Sequence, residues 1–310
     1  MRRNVIVDLL SIENLSQDYY NLLYESYNQS KSLYGNKGYL FAQLGLNNEP
    51  CSVNCSFCSL ASDNFCNTKS YRRNLENVLQ TSRIISETKK VSDLFLMSTA
   101  DYPKDLFLEF ISEVRKVIDS KMRLIANIGD FDTVYASEMK SAGLNGAYHV
   151  VRLGEERYTN ALKKDRVSTL NAIKQSDLDL YYCVEPIAPE HSYSEIAEEI
   201  ERAMDYDVDV MAVMKRTAVP GTKFYGKGEI SIYELCKIAA VTALSVKPKL
   251  SMNVHETEDL AFMVGVNQIY AELGANPRDI ARETQESRGL TIKQGVALLE
   301  KYGLKPTLKQ

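Results

Sequence analysis

The chain has no tryptophan and only three histidines in 310 residues. Those histidines, His149, His191 and His255, are far apart, and no HxxxH pair or second CxxC accompanies the single cysteine cluster. A structural zinc site usually pairs two close cysteines with two distant Cys or His ligands, and that pattern is missing. No basic block exceeds three residues and the net charge is −4, so the electrostatic footprint of a phosphate-backbone binder is absent. There is no run of 18 uncharged apolar residues. Asp8 and Glu13 interrupt the apolar stretch near the start, which suits neither a membrane span nor a secretory leader. The expectation is a soluble cytoplasmic protein that engages neither nucleic acid nor membrane. No low-complexity tract or shift in composition marks an internal domain boundary.

Apolar residues make up 45% of the chain and charged residues 25%, the balance of a soluble globular protein. Six cysteines, three of them clustered, do not form the framework of a small secreted disulfide scaffold, so reduced thiols are expected. Nineteen tyrosines could supply hydroxyls to a polar cavity. Residues 1–35 carry apolar side chains at helical spacing and read as an N-terminal helical extension. From there to 310, strand-like and helix-like stretches alternate about every 30 residues. The strands read as 38–46, 92–98, 123–129, 146–153, 178–187, 208–216, 249–255 and 267–273. The helices read as 74–88, 103–119, 133–143, 168–176, 194–205, 231–244, 257–265 and 291–303. Apolar strands alternating with amphipathic helices imply parallel pairing with right-handed crossovers. Eight such units predict a complete (β/α)8 barrel over 36–310, with a doubly wound open sheet as the alternative. Active residues of such barrels stand at the C-terminal ends of the strands.

The segment CSVNCSFC, residues 51–58, follows the first predicted strand and holds three thiols within eight residues. Iron–sulfur clusters are held by thiolates, commonly four for a four-iron cubane. Three local thiolates would leave one iron open to a substrate or cofactor. An incidental cluster, or a zinc knuckle completed by a distant ligand, is the alternative.

CxxxCxxC with an aromatic before the last cysteine, in a loop after the first strand of a predicted barrel, resembles the radical S-adenosylmethionine enzymes. The resemblance implies that Cys51, Cys55 and Cys58 bind a [4Fe–4S] cluster whose fourth iron chelates the amino and carboxylate groups of S-adenosylmethionine. One electron would then cleave the sulfonium to give a 5′-deoxyadenosyl radical. It further assigns cofactor contacts to Ser98 and Thr99 after the second strand, Asn127 and Asp130 after the third, Arg152 at the end of the fourth, Ile187 on the fifth and Met214 on the sixth. A small-molecule substrate, a reductant protein of the flavodoxin or ferredoxin kind, and a homodimer belong to the same expectation.

The C-terminal half narrows the resemblance. YYCVEPI, VMKRTAVPGTKF, AFMVGVNQIYAELGANPRD and LLEKYGLKP run parallel to biotin synthase and its relatives, a group that includes an [FeFe]-hydrogenase maturase, methylornithine synthase and an enzyme of guanylylpyridinol cofactor biosynthesis. Biotin synthase carries a second cluster on cysteines of strands two, three and five and an arginine of strand seven. Here only Cys183 of the fifth strand is kept. A possible auxiliary iron–sulfur site would draw on Cys66, Cys183 and His255, whereas Cys236 reads as helix packing. Cys183, Glu185 and His255 are the candidate catalytic residues. Glu185 draws attention because an inward carboxylate needs a partner, for which Arg152 or Lys215 is available. Glu256 joins His255 as a candidate substrate contact, and Arg278 and Arg288 are candidate anion binders unless paired with Asp279 or Glu283. The expected reaction is a biotin-synthase-like sulfur insertion with a non-standard auxiliary site. The alternatives are metallocofactor or amino-acid-derived cofactor assembly and, from another class, a non-catalytic iron–sulfur carrier.

Overall fold

The computed structural model describes residues 1–66 and 70–308. Two helices, α1 (Arg3–Leu10) and α2 (Gln17–Tyr34), replace the single helical stretch read over 1–35. Leu15 with φ +66 breaks the run, and the Ser16 hydroxyl restarts it by accepting the Tyr19 N–H. The barrel strands are β1 (Lys37–Gly45), β2 (Asp93–Met97), β3 (Arg123–Asn127), β4 (Gly146–Tyr148), β5 (Asp179–Ile187), β6 (Val210–Lys215), β7 (Ser251–His255) and β8 (Gln268–Leu273). The intervening helices are α3 (Leu75–Glu87), α4 (Lys104–Val117), α5 (Thr133–Ser141), α6 (Lys163–Gln175), α7 (Tyr193–Asp205) and α8 (Ile232–Val246), with α9 (Ile292–Lys301) after β8. Every strand pairs in parallel with the next and β8 pairs with β1, so the ring is closed rather than open. A two-residue strand, β9 (Lys305–Pro306), lies beside the start of β1.

Besides α6, which begins five residues before the predicted 168, two further elements depart from the sequence reading. Residues 257–265 form a 3-10 segment, Asp259–Val264, instead of an α-helix. The carbonyls of Val264 and Gly265 are taken by the hydroxyls of Ser26 and Ser30 on α2, and Gly265 turns the chain out at φ +86. The strand read over 146–153 ends at Tyr148. Beyond it the backbone still donates from His149 and Leu153 to the carbonyls of Tyr181 and Glu185, but it curves over the barrel mouth and carries Arg152 there.

Side-chain alternation sorts each strand into two faces. The outward residues meet the helices in the main core, while Tyr39, Phe41, Phe95, Ile125, Tyr181, Val210 and Tyr270 form a second cluster inside the ring. Phe41 meets Phe95 and Tyr270 at centroid distances of 5.5 and 5.4 Å, and Phe95 meets Tyr181 edge-on at 5.4 Å. This aromatic layer closes the barrel floor. Below it, at the strand N-termini, Arg123 is held by Asp93, Asp179 and the Tyr181 hydroxyl. Above it, toward the C-terminal ends, the interior opens into a cavity. Among the described residues no helix is long and apolar enough to cross a membrane.

Candidate active site

The loop leaving β1 folds back on itself around its cysteines. Cys51 N–H donates to the Leu60 carbonyl at 2.7 Å, and Ser62 N–H donates back to Cys51 at 3.1 Å. Asn54 takes the left-handed conformation at φ +52, and its Oδ1 accepts from Ser62 Oγ and Asp63 N, each at 2.9 Å. Asparagine suits that position because its short polar side chain can satisfy local donors there. The loop is also docked onto three others. Asn160 donates to Val53 and Ser56 to Tyr158 in the loop after β4; Phe224, after β6, donates to Ser56; and Ser59 donates to Pro277 after β8. Gly45 ends β1 where an added Cβ would stand 2.3 Å from the Ala275 carbonyl oxygen, so the loop after β8 can approach only a glycine.

The thiols of Cys51, Cys55 and Cys58 face one cavity at the barrel mouth. Burial pushes Cys55 up to about 11 against the pull of Arg152, and burial together with the neighbouring Cys55 pushes Cys58 up further. Such a crowded set of thiols suits a cationic centre, which deprotonates coordinating thiols outright. The Leu60 N–H, 3.3 Å from Cys58 Sγ, is a donor ready for a thiolate. A single zinc is a poorer match. Tetrahedral Zn–S bonds of about 2.3 Å require sulfurs roughly 3.8 Å apart. The three thiols do not converge within 4.8 Å; among the described residues His255, Glu256 and Glu272 do. The donor set therefore fits an iron–sulfur cluster better than one tetrahedral ion.

Arg152 and Glu185 meet on the opposite wall. Arg152 Nε lies 3.3 Å from Glu185 Oε1, and the Tyr148 hydroxyl donates to Glu185 Oε2 at 2.6 Å. Burial alone would weaken the Arg152 guanidinium, but Cys55, Glu185 and Glu155 hold it firmly charged. Behind it Asp130 lies 3.1 Å from both Arg166 Nη1 and His149 Nε2, which hold its carboxyl down at about 2 although burial pushes it up. On the β7–β8 side, Arg278 donates to Glu256 at 2.6 Å and is paired with Glu272. Its Nη2 stands 2.6 Å from His255 Nε2. The same nitrogen lies 3.0 Å from Glu272 Oε1. The His255 ring stacks on Tyr270 with centroids 4.7 Å apart.

The cavity brings together Cys51, Cys55, Cys58, Ser98, Thr99, Asn127, Arg152, Cys183, Glu185, Met214 and His255. Asp130 and Ile187 stand behind its wall. Glu185 has Arg152 as its partner; Lys215 is instead paired with Glu229 and Glu258. Arg278 and Arg288 are neutralised by Glu256 and Glu272 rather than by Asp279 or Glu283, so neither arginine is a free charge awaiting an anion, and Glu256 is taken up by both of them. Cys66 lies outside the lining; its Sγ contacts the Asn64 carbonyl at 3.1 Å and sits against Gly221. Sequence reasoning missed Gln43, Tyr270 and Arg166. The first two were accessible from alternation along β1 and β8; Arg166 comes from α6 and carries no local signal.

A closed (β/α)8 barrel with a three-thiol loop at its C-terminal mouth is the architecture expected of the biotin-synthase-like radical S-adenosylmethionine enzymes. Comparisons with known proteins point the same way. Biotin synthase of Clostridioides difficile (strain 630) is 21% identical over 186 residues, and the match spans 56% of this chain and 56% of that relative, little more than half its length. The crystal structure of methylornithine synthase (PylB) superposes with a TM-score of 0.81 at 18% identity, covering 99% of this chain and 94% of the other. The FeFe-hydrogenase maturase HydG from Carboxydothermus hydrogenoformans superposes at 0.82 and 17% identity, covering 98% of this chain and 75% of the other. No family profile matches the chain. The chain therefore resembles this group in fold.

Proposed function

We propose that the chain is a radical S-adenosylmethionine enzyme that acts on a small polar biosynthetic intermediate. The observation carrying this reading is that Cys51, Cys55 and Cys58 share one cavity with Arg152, Glu185 and His255, above an aromatic floor. The three cysteines would hold a [4Fe–4S] cluster. Ser98, Thr99, Asn127, Arg152 and Met214 are the lining residues assigned to S-adenosylmethionine, with Asp130 and Ile187 supporting them from behind. When bound, cluster and cofactor supply a 5′-deoxyadenosyl radical by one-electron cleavage of the sulfonium, the electron coming from a flavodoxin- or ferredoxin-like reductant.

The chain's own residues bind, orient and exclude water. Thr99 is fixed by Asn47, whose Oδ1 accepts the Thr99 N–H at 3.0 Å and whose amide donates to the Thr99 hydroxyl at 2.9 Å. Arg152 offers a planar donor set suited to a carboxylate, in an orientation fixed by Glu185. Val53, Phe57 and Leu60 add apolar surface around the thiols, and Tyr270 caps the floor. Glu185 on β5 and His255 on β7 supply polar contacts for the substrate.

Anaerobic reconstitution with iron and sulfide should load about four irons per chain. Dithionite and S-adenosylmethionine should then release 5′-deoxyadenosine. Release of the same product by Cys55→Ala would refute the assignment. Cluster loading without any 5′-deoxyadenosine would favour the iron–sulfur carrier. Sulfur insertion of the biotin synthase kind is the second reading, favoured by the cavity-facing Cys183 on β5. It requires an auxiliary cluster, and therefore more than four irons per chain.

A further inference from the structure

Cys183 stands on the cavity wall two residues before Glu185 and is 2% exposed. Among the described residues it is the one thiol lining the cavity outside the three-cysteine loop; Cys66 sits against Gly221, and Cys236 is buried in α8. Its hydrogen is weakly engaged, the sulfur lying 3.7 Å from the carbonyl of its own neighbour Val184. The adjacent Tyr148 differs, because its hydroxyl hydrogen is held by Glu185 at 2.6 Å. A second observation marks the same space as a ligand site. Gln43 on β1 is 6% exposed, lines the cavity, and its Oε1 has no hydrogen-bond partner. A buried acceptor without a donor is costly, so a bound molecule carrying a hydroxyl, amide or ammonium group would satisfy it.

We infer that Cys183 donates a hydrogen atom to a carbon radical generated in this cavity, on a substrate whose donor group is held by Gln43. The inference rests on the radical reading above. In the step, the S–H bond of Cys183 breaks homolytically and a C–H bond forms on the substrate radical, leaving a closed-shell product and a thiyl radical. The reductant protein returns one electron and solvent returns one proton, which restores the thiol. Homolysis favours sulfur, since an S–H bond is weaker than the C–H bond formed. Burial and the charge of Glu185 keep the thiol protonated, as a hydrogen donor must be.

The test uses the reconstituted full chain in D2O with dithionite and S-adenosylmethionine and no substrate, so that the deoxyadenosyl radical itself meets the exchanged thiol. Wild type should give singly deuterated 5′-deoxyadenosine by mass spectrometry. Cys183→Ser, and Cys183→Ala as a second variant, should lose the label, while Tyr148→Phe keeps the deuterated fraction. Iron and sulfide per chain should equal the wild-type values in both Cys183 variants. Label retained without Cys183, label lost only in Tyr148→Phe, or iron falling by about four in Cys183→Ser would each overturn the inference. The last result would make Cys183 a cluster ligand. Wild type releasing no 5′-deoxyadenosine would instead remove the radical reading, and the inference with it.

Discussion

Arg152 and Glu185 meet at the barrel mouth, Nε to Oε1 at 3.3 Å, the first from the loop after β4 and the second from the neighbouring strand β5. The pair stands between the cysteine loop and Cys183, where Glu185 is buried, Arg152 is largely buried, and each charge relies on the other. Removing one member of a buried pair leaves the other uncompensated and costs roughly 3–5 kcal/mol. Arg152 keeps some exposure, so Arg152→Met should destabilise the chain by about 3 kcal/mol in urea unfolding. Adding Glu185→Gln should recover part of that loss. Strictly additive losses would mean the two charges are not coupled.

The cysteines separate into two kinds. Replacing Cys51, Cys55 or Cys58 by alanine should lower iron from about four per chain to near zero. Cys66→Ala and Cys236→Ala should leave it unchanged, because those thiols lie outside the cavity. Colorimetric iron and sulfide counts after anaerobic reconstitution check both expectations.

Glu272 gives the fold an acid limit. Burial pushes its carboxyl up, but Arg278 and His255 hold it down at about 2, below its ordinary 4.5. A carboxyl depressed on folding contributes stability that is fully present above its unfolded value and is lost as pH falls through its folded value. The loss should begin near pH 4.5 and continue toward pH 2. Glu272→Gln should be less stable at pH 7 and should show a flatter decline across that window, measured by urea midpoints against pH. An unchanged acid limb in the variant would assign it to other groups.

Phe95 is fully buried within the aromatic floor. Truncation there removes buried area and leaves a cavity, at a cost of about 3–5 kcal/mol. Phe95→Ala should lower the urea midpoint by that amount while leaving the slope of the transition unchanged. A loss below about 1 kcal/mol would mean that the floor collapses to fill the space.

Local chemistry is legible from short windows of the chain. Phe41 and Gln43 alternate with Leu40 and Ala42 along β1, so period two alone assigns opposite faces. The amphipathic helices and the cysteine spacing are likewise properties of a few neighbouring residues. The segment at 257–265 misleads because the hydroxyls of Ser26 and Ser30, remote in sequence, claim its terminal carbonyls. The fourth strand is shorter than its apolar run implies, since past Tyr148 the backbone keeps only the His149 and Leu153 bonds to the β5 carbonyls.

The partners of charged groups are not legible in the same way. Arg278 could as well have been a free anion-binding group as the neutralised centre of Glu256 and Glu272. Arg166, on a helix, gives no sign that it will reach Asp130. The repeated strand–helix unit and a loop able to present three thiolates follow from residue order alone, because period and spacing act over a few residues. Closure of the ring is what settles which side chains share the cavity, which arginines are spent on internal carboxylates, and that Gln43 and Cys183 face the same space. Strands remote in sequence become neighbours there, and a charge or donor acquires its role from whatever stands within about 3 to 4 Å of it.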